Sequence, residues 1–258
     1  MDLDVESARR SLVQAVHAAP RPSPSFDLVA YLSSPVPVLG LSVPQMREVV
    51  AGFAKEHRGL PVADVNRLAG ILWPAEIFED KILAVMLLER YAKVLDDSSW
   101  SLAGSWVDGA TGWGLSDALA AGPLATMAFA KPARFRELLR WTRSRNLWRR
   151  RASAYALRGF VRAKGLDRPL ELLERLLYDE ELWVQRAVGS WLRECWKVDA
   201  KRTEAFLRKH VRGLPPVVIT VATERAAKAF RNELRKRSKS KLRGAATQSR
   251  AGPRSPRR

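Results

Sequence analysis

Residues 181–196 read ELWVQRAVGSWLRECW, and in that run Val184, Val188, Trp191, Leu192 and Cys195 recur at the i, i+4, i+7, i+8, i+11 spacing of a helix that buries one ridge. That ridge turns Gln185, Arg186, Gly189, Ser190 and Arg193 away from the core, and Gly189 with Ser190 leaves room on their side for something to approach. The pattern repeats on either side. Helices are predicted over 5–18, 26–32, 46–56, 61–72, 76–95, 114–121, 132–143, 147–163, 168–177, 199–210 and 220–236, and the most β-like run, VVIT at 217–220, is only four residues long. Trp73, Trp106 or Trp113, Trp148 and Trp183 each fall near the start of a predicted helix pair, 33 to 42 residues apart.

A period in that range belongs to helical-hairpin repeats of the HEAT type, in which each unit buries its apolar face against the next. The predicted fold is therefore all-α, an α-solenoid of HEAT-like helical hairpin repeats forming a concave basic groove. Residues 1–25 supply an N-terminal helix and a Pro/Ser linker (PRPSPS, 20–25), residues 26–236 the repeat domain, and residues 237–258 a basic tail without apolar periodicity, predicted to be disordered.

A hydrophobic content of 47% with nine Trp suffices for a packed core in 258 residues. The net charge of +18 favours a polyanionic partner, because Lys and Arg that neutralise phosphates release condensed counterions. Nucleic acid leads and an anionic membrane surface comes second. The charge is uneven, with 11 Lys and Arg against Glu233 alone in 231–258, and 34 basic against 26 acidic residues before them. One cysteine, Cys195, excludes an internal disulfide and a thiolate zinc cluster, and its place on the core ridge reads as a small buried hydrophobe. The acidic start (Asp2, Asp4, Glu6) and the lack of any long apolar run predict neither a signal peptide nor a membrane span, hence a cytoplasmic, nucleoid-associated protein.

Residues 106–117, WVDGATGWGLSD, place Trp113 and Asp117 four apart, so an indole and a carboxylate share one helix face. By itself the pair reads equally as a core Trp and a dipole-stabilising Asp, or as a site. Trp100 and Trp106 read as packing residues, and Glu79 as a helix-terminus or inter-repeat partner. In 147–163, Trp148, Ala152, Tyr155 and Gly159 fall on one face, and Arg151, Arg158 and Arg162 on another with Arg150 beside them, a basic stripe that meets phosphates or is simply solvated. His17, His57 and His210 are dispersed, and no phosphate loop, dinucleotide turn or nucleophile elbow occurs, so neither metal nor cofactor is expected. These absences leave electrostatically assisted bond cleavage open.

The order of motifs resembles the AlkD-like DNA alkylation repair family, HEAT-like-repeat DNA glycosylases. The matching segments are YLSSPVPVLGLSVPQMREV (31–49), LWPAEIFEDKILAVMLL (72–88), WVDGATGWGLSDAL (106–119), NLWRRRAS (146–153) and WVQRAVGSWLRECWKVD (183–199). With the helix at 220–230 they span roughly residues 26–232, and their order carries more weight than any one motif. The resemblance implies Asp117 as catalytic aspartate, Trp113 as groove tryptophan and Arg151 as groove arginine. The family's second groove tryptophan follows an Ala-Ile-Gly; here Ala187, Val188 and Gly189 are followed by Ser190, with Trp191 one place later. A one-residue shift turns a helical side chain by about 100°, so Trp191 joins the core ridge and part of the cation-stabilising surface is missing.

The resemblance implies hydrolysis of the N-glycosidic bond of cationic N3/N7-alkylated purines in double-stranded DNA by a metal-free monomer, with Arg150, Arg158, Arg186, Ser190 and Arg193 beside Arg151 along the phosphates. The alternative is a non-catalytic HEAT-like DNA-binding protein that recognises distorted or branched DNA. A third class, a protein-interaction scaffold, predicts no steep salt dependence of DNA binding.

Overall fold

Every regular element in the computed structural model is helical among the described residues, 3–22 and 25–248. Each helix packs mainly on those one and two places along the chain, the contact pattern of stacked helical repeats. None among the described residues is long and apolar enough to cross a membrane. The chain divides into two compact units, residues 1–159 and 160–258.

The first unit starts with α1 (Val5–Ala18), capped by the Asp4 side chain, which accepts from Ser7 N at 3.0 Å. Its Leu12 and Val16 are buried against α3 (Val43–Glu56), α4 (Val62–Leu72) and α5 (Phe78–Arg90), so the leading helix adds to the same core. The short α2 (Leu28–Leu32) lies between α1 and α3 in the chain. Helix α5 buries Ile82, Leu83, Ala84, Val85, Leu87 and Leu88; a helix apolar nearly all round is a central one.

Helix α6 (Asp97–Trp106) is absent from the sequence prediction because DSSWSLAGSW is poor in strong helix formers. A capping box starts it: the Asp96 carboxylate accepts from Ser98 N and Ser99 N at 2.8 and 3.2 Å, and Asp96 N donates back to Ser99 Oγ. Trp100 and Trp106 then anchor it, both buried as expected. The tryptophan period has a different basis from the one predicted. Trp73 follows the last residue of α4 and Trp106 ends α6, and the two stack at 4.7 Å between centroids with 6° between planes. Trp100 stacks likewise on Trp141, at 5.6 Å, from α9 (Pro132–Trp141).

Helix α7 (Trp113–Leu119) passes through a π-helical turn at 120–124 into α8 (Ala125–Ala130). Pro123 has no N–H to donate to the preceding turn, which is why the helix predicted to end at 121 widens there before continuing. The helix predicted over 147–163 is two, α10 (Leu147–Tyr155) and α11 (Arg158–Arg162).

The second unit contains α12 (Asp167–Leu176), α13 (Leu182–Val198), α14 (Ala200–Lys209), α15 (Pro216–Ala222) and α16 (Lys228–Gln248). Val184, Val188, Trp191, Leu192 and Cys195 are all buried, as the ridge requires. The β-like VVIT lies inside α15, where Pro216 opens the helix and the apolar run packs on α13. A Cβ on Gly189 would come within 2.7 Å of Val221 Cβ and 3.3 Å of Val218 O, so the room that Gly189 leaves is taken by α15 itself. Helix α16 runs on to Gln248, past the tail boundary read at 236, because no proline interrupts its Lys, Arg, Leu and Ala before Pro253; the remainder of the predicted tail, 249–258, lies outside the described residues.

Candidate functional site

The site is built where the start of α7 meets the end of α2. Gly112 precedes α7 with φ +80°, and a Cβ there would fall 1.9 Å from Ser33 O, so only glycine allows this approach. Trp113 is fixed by its indole Nε1, which donates to Tyr31 O at 2.5 Å, and by the Tyr31 ring set edge-on at 5.1 Å. Tyr31 in turn meets Phe26 at 5.2 Å, and these two aromatics are 57% and 53% exposed. Below this cluster lies a largely apolar cavity of about 470 Å³, walled by Trp113, Phe78, Met46, Ile82 and Met86.

Glu79, on the first turn of α5, is 2% exposed, and its carboxylate accepts the N–H groups of Leu39, Gly40 and Leu41 at 2.9, 2.8 and 3.2 Å. It ties the loop that follows α2 to α5, the structural role that its place in the sequence indicates.

One turn beyond Trp113, Asp117 faces α10. Arg151 grips its carboxylate at both oxygens, Nε to Oδ1 and Nη2 to Oδ2, each at 2.8 Å. The two side chains are 4% and 16% exposed, so this fork is nearly desolvated. Tyr155, one helical turn after Arg151, accepts from Arg151 Nη2 at 3.2 Å, has its ring 4.8 Å from the guanidinium carbon, and hydrogen-bonds Asp117. Burial pushes the Asp117 carboxyl above its ordinary value, while Arg151 and then Tyr155 pull it down; burial prevails. Arg151 and Tyr155 thus share the α10 face turned to α7, although the sequence sets Tyr155 on a packing face and Arg151 on a stripe.

The other arginines have contacts of their own. Arg150 Nη1 donates to Ser144 O at 2.8 Å and Arg145 O at 3.2 Å, folding back on the turn before α10. Arg158 Nη1 donates to Ala121 O at 2.8 Å, closing the π turn, and lies 3.5 Å from Glu89. Arg149, not singled out by the sequence pattern, pairs with Asp108 at 2.7 and 3.0 Å over the ring of Trp141. In the second unit, Arg186 is exposed and lies 5.3 Å from the Trp183 ring centroid. Ser190 is half-buried beside Gly189, and Arg193 pairs with Glu224. Tyr155 and Tyr31 are the site residues that the sequence did not mark; an i+4 spacing from Arg151 is the signal that Tyr155 carried.

A family model described as DNA alkylation repair enzyme matches residues 15–226. The fold is similar to that of a protein from Enterococcus faecalis described as a predicted DNA alkylation repair enzyme, at 18% identity and TM-score 0.67, covering 78% of this chain and 93% of that one. It is also similar to AlkD2 from Streptococcus mutans, at 16% identity and TM-score 0.55, covering 82% of this chain and 96% of that one. A third, smu.31 from Streptococcus mutans UA159, has 17% identity and TM-score 0.51, with 76% and 98% covered. At these identities the likeness concerns the fold. No curated protein sequence matches the chain.

Proposed function

This chain belongs to the DNA alkylation repair enzyme family, and from that premise we propose that it is an alkylpurine-DNA glycosylase acting on double-stranded DNA. The reaction is hydrolysis of the N-glycosidic bond of purines made cationic by N3 or N7 alkylation. The observation that carries this reading is the Asp117–Arg151 fork, 2.8 Å at both oxygens, one helical turn from Trp113.

An alkylated purine already carries positive charge, so its C1′–N bond breaks with the electron pair leaving on a neutral base, and the positive charge passes to the sugar. No strong general acid is needed. Asp117, kept anionic by Arg151, stabilises the oxocarbenium-like sugar and orients the water that adds to C1′, as carboxylates do in glycoside hydrolysis. Trp113 offers a π face to the cation, worth about 0.5–2 kcal/mol. Arg186, exposed on α13, and Arg151 are the arginines proposed for the flanking phosphates, with Ser190 and Arg193 beside Arg186. Arg193 is available because surface ion pairs of its kind contribute little, about 0–1 kcal/mol. Arg150 and Arg158 act through the scaffold carbonyls they hold.

Release of 7-methylguanine from a duplex tests the reading. Asp117→Asn is expected to lose about 100-fold or more of the excision rate while DNA affinity stays within twofold. An unmodified protein that binds the duplex and releases no base overturns it. The second reading, a binding protein for distorted or branched DNA, is favoured by Ser190 standing where the family pattern has tryptophan. It predicts tighter binding to a branched junction than to a linear duplex, with no base released from either.

A further inference from the structure

Tyr155 falls outside every role assigned so far. It is half-buried on α10, with its ring 4.8 Å from the Arg151 guanidinium carbon and its oxygen 3.2 Å from Arg151 Nη2. We propose that Tyr155 is a positioning residue for Asp117, its hydroxyl fixing which edge of the carboxylate stays open for the attacking water. This rests on the glycosylase reading for its catalytic meaning, whereas the placement of the carboxylate stands on geometry.

A phenol has one hydrogen to give and lone pairs to receive with. Arg151, which can only donate, occupies an oxygen lone pair of Tyr155, and the phenolic hydrogen is then directed to Asp117. A carboxylate has about four acceptor sites. The fork takes two and Tyr155 a third, so one remains, and its direction is set by the other three. The ring contributes separately by clamping the guanidinium in the plane the fork requires. Arg151 and Tyr155 are the ionisable groups that meet Asp117 from the helices packed on α7. From α5, Glu79 is taken up by the loop at 39–41 and Glu89 lies beside Arg158.

Tyr155→Phe keeps the ring and removes the hydroxyl alone. Two measurements separate positioning from support: the ¹³C titration of the Asp117 carboxyl, assigned by its loss in Asp117→Asn, and the pH–rate profile of 7-methylguanine release. Without the donated hydrogen bond the ionised form is less favoured, so the Asp117 midpoint should rise by about one pH unit and the acid limb of the profile should move with it. The plateau rate should fall about 10-fold or more. Replacing all four tyrosines by 3-fluorotyrosine, a stronger donor, should move the midpoint the opposite way and needs no fold-threatening substitution. A structural tyrosine would lower the melting temperature and leave the midpoint where it is; an unmoved midpoint in both proteins overturns the proposal. If the unmodified protein releases no base, the glycosylase reading falls on that result, and the titration still decides whether Tyr155 positions Asp117.

Discussion

Replacing Arg151 by Met separates the electrostatic from the packing content of the site. Arg151 is 4% exposed, and a methionine of similar length fills its path along α10 without a charge. What is lost is the cation 2.8 Å from both oxygens of a carboxylate that burial already pushes upward. Taking about 4 Å between charge centres and an effective dielectric of about 20, the pair is worth at most about 4 kcal/mol. That corresponds to at most about three pH units on the Asp117 carboxyl.

The consequence for stability has a definite sign. A carboxyl whose folded-state pKa lies above its unfolded value binds more protons when folded, so its contribution is fully present below the unfolded pKa and is lost as pH rises through the folded one. Wild type should show a short version of this loss starting near the model value of 3.8. Arg151→Met should extend it towards neutrality, at up to about 1.4 kcal/mol per pH unit, or about 2–4 °C of melting temperature per kcal/mol. Thermal denaturation of both proteins between pH 4 and 8 reads the difference, and adding Asp117→Asn to Arg151→Met should flatten the slope. Parallel melting curves across that range would refute the reasoning, because they would mean that Arg151 does not control the ionisation of Asp117.

Trp113→Ala should lower the excision rate by about 2- to 30-fold, the equivalent of the cation–π contribution, with little change in duplex affinity; single-turnover kinetics with saturating protein checks it. Gly112→Ala should cost at least about 2–3 kcal/mol, because it combines a left-handed φ of +80° with a Cβ 1.9 Å from Ser33 O. Denaturant unfolding measures the loss, and an unchanged midpoint would mean that α7 and the end of α2 are not held together as described.

What the sequence alone determined is what periodicity can carry. The apolar ridge of 181–196 specified a helix, its buried face and the burial of Trp191 and Cys195, and the succession of such runs specified an all-α repeat fold. The four-residue step from Trp113 to Asp117 put both on one face of α7, and the place of Glu79 at a helix start foretold a structural carboxylate. Helix α6 escaped because its stability comes from a cap and two buried indoles, not from propensity. The tertiary structure decided the partners. An arginine side chain reaches far enough that its own helix does not fix what it meets, so NLWRRR gives three adjacent arginines with three destinations: Arg149 to Asp108, Arg150 to the carbonyls of Ser144 and Arg145, and Arg151 to Asp117. The same holds for the space beside Gly189, which a helical wheel leaves open and α15 fills. Faces follow from 3.6 residues per turn, which is local; the meeting of Asp117, Arg151 and Tyr155 depends on how α7 and α10 pack, and that follows from the whole core.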